Sequence, residues 1–193
     1  MNDRYYSYHA RSFYERTVSV DMDDVYRQFL PFLERGSLVL DAGCGSGRDA
    51  KAFKSLGFQV VAFDASAELA ALAETYSGVP VEVCRFQDVK GVAIYDGIWA
   101  CASLLHVPEV ELPGVLATLW ATLKEGGFFY SSFKYGDGER EEGIRHFTDA
   151  NNARLEAWAG GLKGVDIVHI RQSVDKRVGE DSGWANMVLR KNN

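Results

Sequence analysis

The residues best placed to do chemistry lie in one short stretch, Asp41-Ala42-Gly43-Cys44-Gly45-Ser46-Gly47. Three glycines at alternate positions let the backbone turn sharply and approach a ligand without Cβ atoms in the way. A helix opening at Gly47 leaves free N–H groups facing the same place. A pyrophosphate-binding fingerprint would carry its last glycine at position 48, where this chain has Arg48. Asp41, at a strand end, would repel a pyrophosphate and suits a ligand with a cationic group. A second carboxylate, Asp64, stands 21 residues after Gly43 and ends the run Val60-Val61-Ala62-Phe63. There it can accept both hydroxyls of a ribose, which points to an adenosyl cofactor without saying which. The plainer role for Asp64 is a helix cap or a solvated strand end.

These groups need a scaffold, and the periodicity supplies one. Short apolar β-branched runs alternate with helix-period segments, the signature of a mostly parallel sheet covered on both faces. Helices are expected at Asp21 to Glu34 (Val25, Phe29 and Leu33 on one face), Gly47 to Leu56 (Ala50, Phe53 and Leu56 inward, Gly57 as stop) and Ser66 to about Tyr76. Two more are expected at Leu112 to Leu123, closed by Gly126-Gly127, and from a Thr148 cap through Trp158. Strands fall at Leu38–Leu40, Phe58–Phe63, Val81–Cys84, Gly97–Ala100 and Phe128–Phe133. The last two, Val165–Val174 and Trp184–Leu189, are joined only by a polar turn with Gly179 and Gly183, so they should pair antiparallel. The expected architecture is α/β, a Rossmann-like three-layer sandwich around a seven-stranded, mostly parallel sheet with an antiparallel C-terminal hairpin. Residues 136–143 read as a glycine-rich, charged loop, a solvated acidic turn or a mobile flank of the site entrance.

Composition bounds the function. The 193 residues suggest one domain, 1–193, and 47% hydrophobic residues are ample for a core. No run is long and apolar enough to span a bilayer, and the start lacks a secretory stretch, which points to the cytoplasm with no membrane partner. The net charge of −6 argues against a long nucleic-acid footprint. Cys44, Cys84 and Cys101 lack CxxC spacing, and the four histidines lack ligand spacing, so no metal is expected. Cys44 reads as a small space-filler rather than a nucleophile.

The segment Asp41 to Gly47 resembles the first motif of class I S-adenosylmethionine-dependent methyltransferases, and Phe63-Asp64-Ala65-Ser66 resembles the acidic second one. Gln87-Asp88 followed by Tyr95-Asp96-Gly97-Ile98-Trp99-Ala100 is similar to the family's adenine loop and fourth strand. Leu123-Lys124-Glu125-Gly126-Gly127-Phe128-Phe129 is similar to its turn into the fifth strand, with Glu125 where a proline is usual. The likeness covers roughly residues 15 to 190, the family's terminal hairpin included, and a narrower one is to the tellurite-resistance type. It implies S-adenosylmethionine as cofactor, S-adenosylhomocysteine as product, and no metal. It also implies that Asp41 neutralises the methionine end, partly through water, while Gly43, Cys44 and Gly45 give close backbone approach. Asp64 would hold the ribose with Ala65 beside the adenine, Phe86 and Gln87 would meet the adenine, and Ala100 and Cys101 would line the methionine and sulfur.

Methyl transfer is an in-line displacement at an already activated carbon, so alignment and dryness supply most of the rate and no catalytic residue is forced. His106 is a candidate base if the acceptor must lose a proton, or else a structural hydrogen bonder. Lys134, Tyr135, Arg145 and His146 could bind an anionic acceptor, or be ordinary solvated residues. The aromatic stretch Tyr5 to Arg16 reads as a lid within residues 1–20, with Tyr14 or Tyr8 closing the pocket, or as plain packing. Almost every residue is spent on the core, which favours a small-molecule acceptor. A non-catalytic cofactor-binding module and an NAD-dependent oxidoreductase are the alternatives; oligomeric state stays open.

Overall fold

In the computed structural model, which describes residues 2–177 and 183–192, seven strands form one sheet in the order β3-β2-β1-β4-β5-β9-β8. The strands are β1 (Leu38–Ala42), β2 (Gln59–Asp64), β3 (Val81–Val83), β4 (Tyr95–Ala100), β5 (Leu123–Lys134), β8 (Val165–Val174) and β9 (Gly183–Lys191). The first five pair in parallel, whereas β9 runs antiparallel to both β5 and β8. The expected fold is therefore observed, and the closing hairpin arises because no helix separates β8 from β9. Gly183 opens β9, while Gly179, expected in the same turn, lies outside the described residues.

Alternate residues of each strand face opposite layers. Leu40, Ile98, Phe129, Phe133, Met187 and Leu189 join the core beneath α5 (Leu112–Thr122) and α6 (Asn152–Gly160). Val39, Trp99, Tyr130 and Val188 face the other way, onto Val25, Tyr26 and Phe29 and onto Phe53 of α3 (Arg48–Ser55). Helix α4 (Ala67–Ser77) begins at Ser66, whose side chain accepts from the Leu69 N–H at 3.2 Å, as the sequence predicts. Helix α1 (Asn2–Thr17) packs against α4 and lies across the carboxyl edge of the sheet.

Five expectations fail for identifiable reasons. The helix expected over Asp21–Glu34 is only a single turn, α2 (Asp23–Tyr26), followed by a 3-10 turn at Leu30–Phe32. Pro31 has no N–H to give the Arg27 carbonyl, as a continuing α-helix would need, yet Val25 and Phe29 still reach the core. Leu56 is 48% exposed rather than inward, because α3 has already ended at Ser55. Helix α5 likewise stops at Thr122, before the Gly126-Gly127 pair, since Leu123 is already extended. Residues 136–143 are largely strand: β6 (Gly138–Glu142) pairs antiparallel with β7 (Arg145–Asp149) in a separate ribbon. Thr148 thus sits inside β7, donating to the Val107 carbonyl at 2.7 Å, and Asn151 caps α6 instead.

Candidate active site

Strand β1 lies between β2 and β4 at the point where successive connections diverge, the place where open α/β sheets bind ligands. The chain leaves Ala42 into Gly43, at φ +77°, where a Cβ would come within 2.7 Å of the Ser103 side chain. Gly45, at φ +55°, lies under the ring of Phe13, 3.1 Å from where a Cβ would stand. The N–H groups of Gly43 and Cys44 both donate to the Phe63 carbonyl, at 3.0 and 2.9 Å, tying the loop to the end of β2. Asp64 finishes the tie: its Oδ2 accepts from the Gly45 N–H and its Oδ1 from the Ser66 N–H, each at 2.9 Å. The carboxylate is thus aimed by backbone amides while still bordering a cavity, so turn-closing and ligand-facing roles coexist in one residue.

That cavity, about 300 Å³, is bordered by Gly43, Gly45, Asp64, Ala65, Phe86 and Gln87, and the Gln87 amide donates to Glu111 at 2.8 Å. A larger cavity of about 520 Å³ adjoins it and takes in Cys44 and Cys101 as well as the same two glycines. Ala100 and Asp41 border neither: Ala100 is fully buried in the sheet, and Asp41, 2% exposed, lies beneath the loop. Burial holds the Cys44 thiol well above its ordinary value and pushes Cys101 up to about 12, which removes both as ready nucleophiles.

Beneath the glycine loop is a polar cluster that the motif reading misses. Asp49 accepts from Tyr26 Oη at 2.6 Å, Trp99 Nε1 at 2.9 Å, and Arg48 through Nε and Nη2 at 2.6 and 3.0 Å. Burial alone would raise its pKa, but the Arg48 guanidinium and these donated bonds outweigh it and hold Asp49 below the carboxylate range. Burial and the nearby Asp49 charge drive Asp41 the opposite way, well above that range. Asp41 Oδ2 has no hydrogen-bond partner among the described residues. An orphaned buried carboxyl oxygen, glycines that a Cβ would spoil, and a cavity ending at Asp64 fit an adenosyl ligand with a cationic amino acid end.

Helix α1 closes the site from above. Tyr6, Ala10, Phe13 and Thr17 share one helical face, and Tyr6 and Phe13 border both cavities. Tyr8 is 84% exposed and Tyr14 packs on Tyr76, so neither closes the pocket. The i, i+4, i+7, i+11 spacing could have picked the right pair out of an aromatic-rich stretch. His106 Nδ1 lies 3.0 Å from the His146 carbonyl, which can only accept, so Nδ1 carries the proton. Burial depresses the His106 pKa to about 4, leaving Nε2 bare to receive the Tyr6 hydroxyl at 2.6 Å. Arg145, the third candidate, borders the larger cavity with its guanidinium over the rings of Tyr5 and Phe147. Lys134 and Tyr135 border that cavity too, whereas His146 lines only the smaller one and is held by Glu139 and Glu141, each at 3.0 Å. Among the described residues no group of His, Cys, Asp or Glu converges as metal ligands, and no helix is long and apolar enough to cross a membrane.

Comparison with known proteins agrees with this geometry. Residues 14–172 match the family profile described as a methyltransferase domain. The sterol 24-C-methyltransferase of Saccharomyces cerevisiae is 27% identical over 135 residues, covering 64% of this chain and 35% of the yeast protein. The 18S rRNA (guanine-N(7))-methyltransferase of Schizosaccharomyces pombe is 26% identical over 142 residues, covering 67% of this chain and 51% of that protein. The chain thus spans about a third to a half of these relatives. In fold it is similar to 1,6-didemethyltoxoflavin-N1-methyltransferase of Burkholderia thailandensis, solved with 1,6-didemethyltoxoflavin and S-adenosylhomocysteine. That likeness has a TM-score of 0.79 at 24% identity and covers all of this chain and 87% of the other. With residues 14–172 matching its profile, the chain belongs to the methyltransferase domain family, and its sheet order and glycine loop give it the class I methyltransferase fold.

Proposed function

We propose that the protein is an S-adenosylmethionine-dependent methyltransferase acting on a small-molecule acceptor as one domain, with α1 as the lid. The observation that carries this reading is the pair of adjoining cavities that share Tyr6, Phe13, Gly43, Gly45, Ala102 and His106 as a common wall. One ends at Asp64, Phe86 and Gln87, as an adenosine requires; the other lies beneath α1 beside the β6–β7 ribbon and is scaled to a small ligand. The fungal rRNA enzyme keeps a macromolecular acceptor in view, but the charge of −6 works against a phosphate backbone.

When bound, the cofactor supplies a methyl group already activated by a sulfonium. Asp64 accepts the ribose hydroxyls, Ala65, Phe86 and Gln87 border the adenine, and Gly43 to Gly45 offer backbone without side chains. Asp41, orphaned beneath the loop, acts on the methionine ammonium through water; Arg16 and Arg48, both bordering the larger cavity, complement its carboxylate. Ala100 and Cys101 finish the end of β4 beside the sulfur. Tyr6 and Phe13 exclude water, the condition under which dispersing positive charge costs least. His106 Nε2 can hold a proton from an acceptor that must lose one, once the Tyr6 hydroxyl swings aside.

Calorimetry with S-adenosylhomocysteine, alongside a labelled methyl-transfer screen of small metabolites and of RNA, tests the reading. Micromolar binding that weakens ten- to a hundredfold in Asp64→Ala is expected, the weight of about one charge-assisted hydrogen bond. Label appearing in RNA and not in metabolites would overturn the acceptor class.

A further inference from the structure

The larger cavity carries a charge pattern that the rest of the molecule does not. Its wall contains seven cationic side chains, Arg16, Arg48, Lys134, Arg140, Arg145, Lys176 and Arg177, against four carboxylates, Asp49, Glu142, Asp149 and Asp175. Lys176 is matched in addition by Asp24 at 2.7 Å, which leaves a surplus of two positive charges, still unexpected in a chain whose net charge is −6. The cofactor does not account for it: S-adenosylmethionine carries a sulfonium and an ammonium against one carboxylate, so its arrival adds positive charge.

Arg145 is where the surplus is focused. It donates to Glu142 Oε2 at 2.7 Å, but Arg140 already takes that residue's other oxygen at 2.6 Å, so two guanidiniums divide one half-exposed carboxylate. Arg140 also binds Asp149 at 2.6 Å, and Arg145 Nε is buried without a hydrogen-bond partner among the described residues. On the facing side Lys134 and Arg177 share Asp175, each at 2.7 Å. The Arg145 guanidinium lies over the Phe147 ring at 4.9 Å and is hydrogen-bonded to the Tyr6 hydroxyl.

Resting on the function proposed above, we infer that the acceptor carries an anionic group, a carboxylate or comparable oxyanion, seated against Arg145 with Arg140 beside it. The guanidinium fork matches such a group two bonds at a time, and the buried Nε supplies a donor that is otherwise unused. An anion there balances both the wall and the incoming cofactor, and places the acceptor in the larger cavity that Tyr6 and His106 also border.

The test uses the full chain saturated with S-adenosylhomocysteine, titrated by calorimetry with benzoate, with its neutral isostere benzamide, and with sulfate. Benzoate or sulfate should bind and benzamide at least tenfold more weakly. Arg145→Gln should cost the anion tenfold or more while S-adenosylhomocysteine affinity changes less than threefold. Should Arg145→Gln disturb cofactor binding, Arg140→Gln is read in the same way. Failure of S-adenosylhomocysteine itself to bind would sink the function proposed above. Normal cofactor binding with no anion bound, with benzamide equal to benzoate, or with both arginine variants unaffected, would overturn only this inference.

Discussion

At the scale of single residues, His106 shows how an environment selects a proton state. Its Nδ1–H is spent on a backbone carbonyl, and burial depresses its pKa from 6.5 to about 4. The unfolded chain therefore binds more protons than the folded one between those values. Stability from this group is complete above pH 6.5 and drains away as pH falls toward 4, by about 3 kcal/mol at most. Asp41 contributes with the opposite sign, because its raised pKa favours the folded state on the acid side. Urea unfolding of wild type and His106→Gln across pH 4 to 7 separates the two: the difference between the curves should shrink or reverse as the pH drops. A constant difference would mean that His106 keeps its ordinary pKa in the folded protein. Asp64 was legible from spacing alone, since it follows the loop by a fixed βα unit. His106 and Arg145 could be named but not assigned, because the partners Tyr6 and His146 of the one and Tyr5 of the other come from distant segments.

At the scale of elements, periodicity revealed every strand of the main sheet and most of its helices, because most of them bury a regular stripe and the two edge strands still carry β-branched runs. It failed where local chemistry overrides the stripe. Pro31 cut a helix that the apolar spacing supported, and the ribbon β6–β7 was hidden because its burial pattern shows almost no alternating apolar face. That ribbon carries cross-strand ion pairs such as Arg140–Asp149 and gives the core only Phe147, and ion pairs leave no periodic trace. Helix α1 is the element whose role is most open to experiment. Removing residues 1–17 takes Phe13 off Gly45 and Tyr6 off His106 while leaving all seven strands. The truncated protein should still unfold cooperatively, with S-adenosylhomocysteine affinity down about tenfold or more by calorimetry, the weight of one buried aromatic side chain. Unchanged affinity would show α1 to be plain packing.

At the scale of the whole molecule, the common wall between the two cavities sets an order of events. Tyr6 and Phe13 border both, so one helix lies over two rooms. If α1 acts as the proposed lid, the consequence is kinetic: departure of spent cofactor would require the Tyr6–His106 bond to break and a helix of 16 residues to lift through solvent. Product exchange then governs turnover, and friction with the medium governs product exchange. The dissociation rate of S-adenosylhomocysteine, measured by displacement in sucrose solutions, should fall in near-inverse proportion to relative viscosity. Tyr6→Phe should raise that rate about fivefold, the value of one ordinary hydrogen bond. Such a protein would trade speed for containment: the activated methyl group stays behind a closed roof until the acceptor is beside it, and water is kept from spending it.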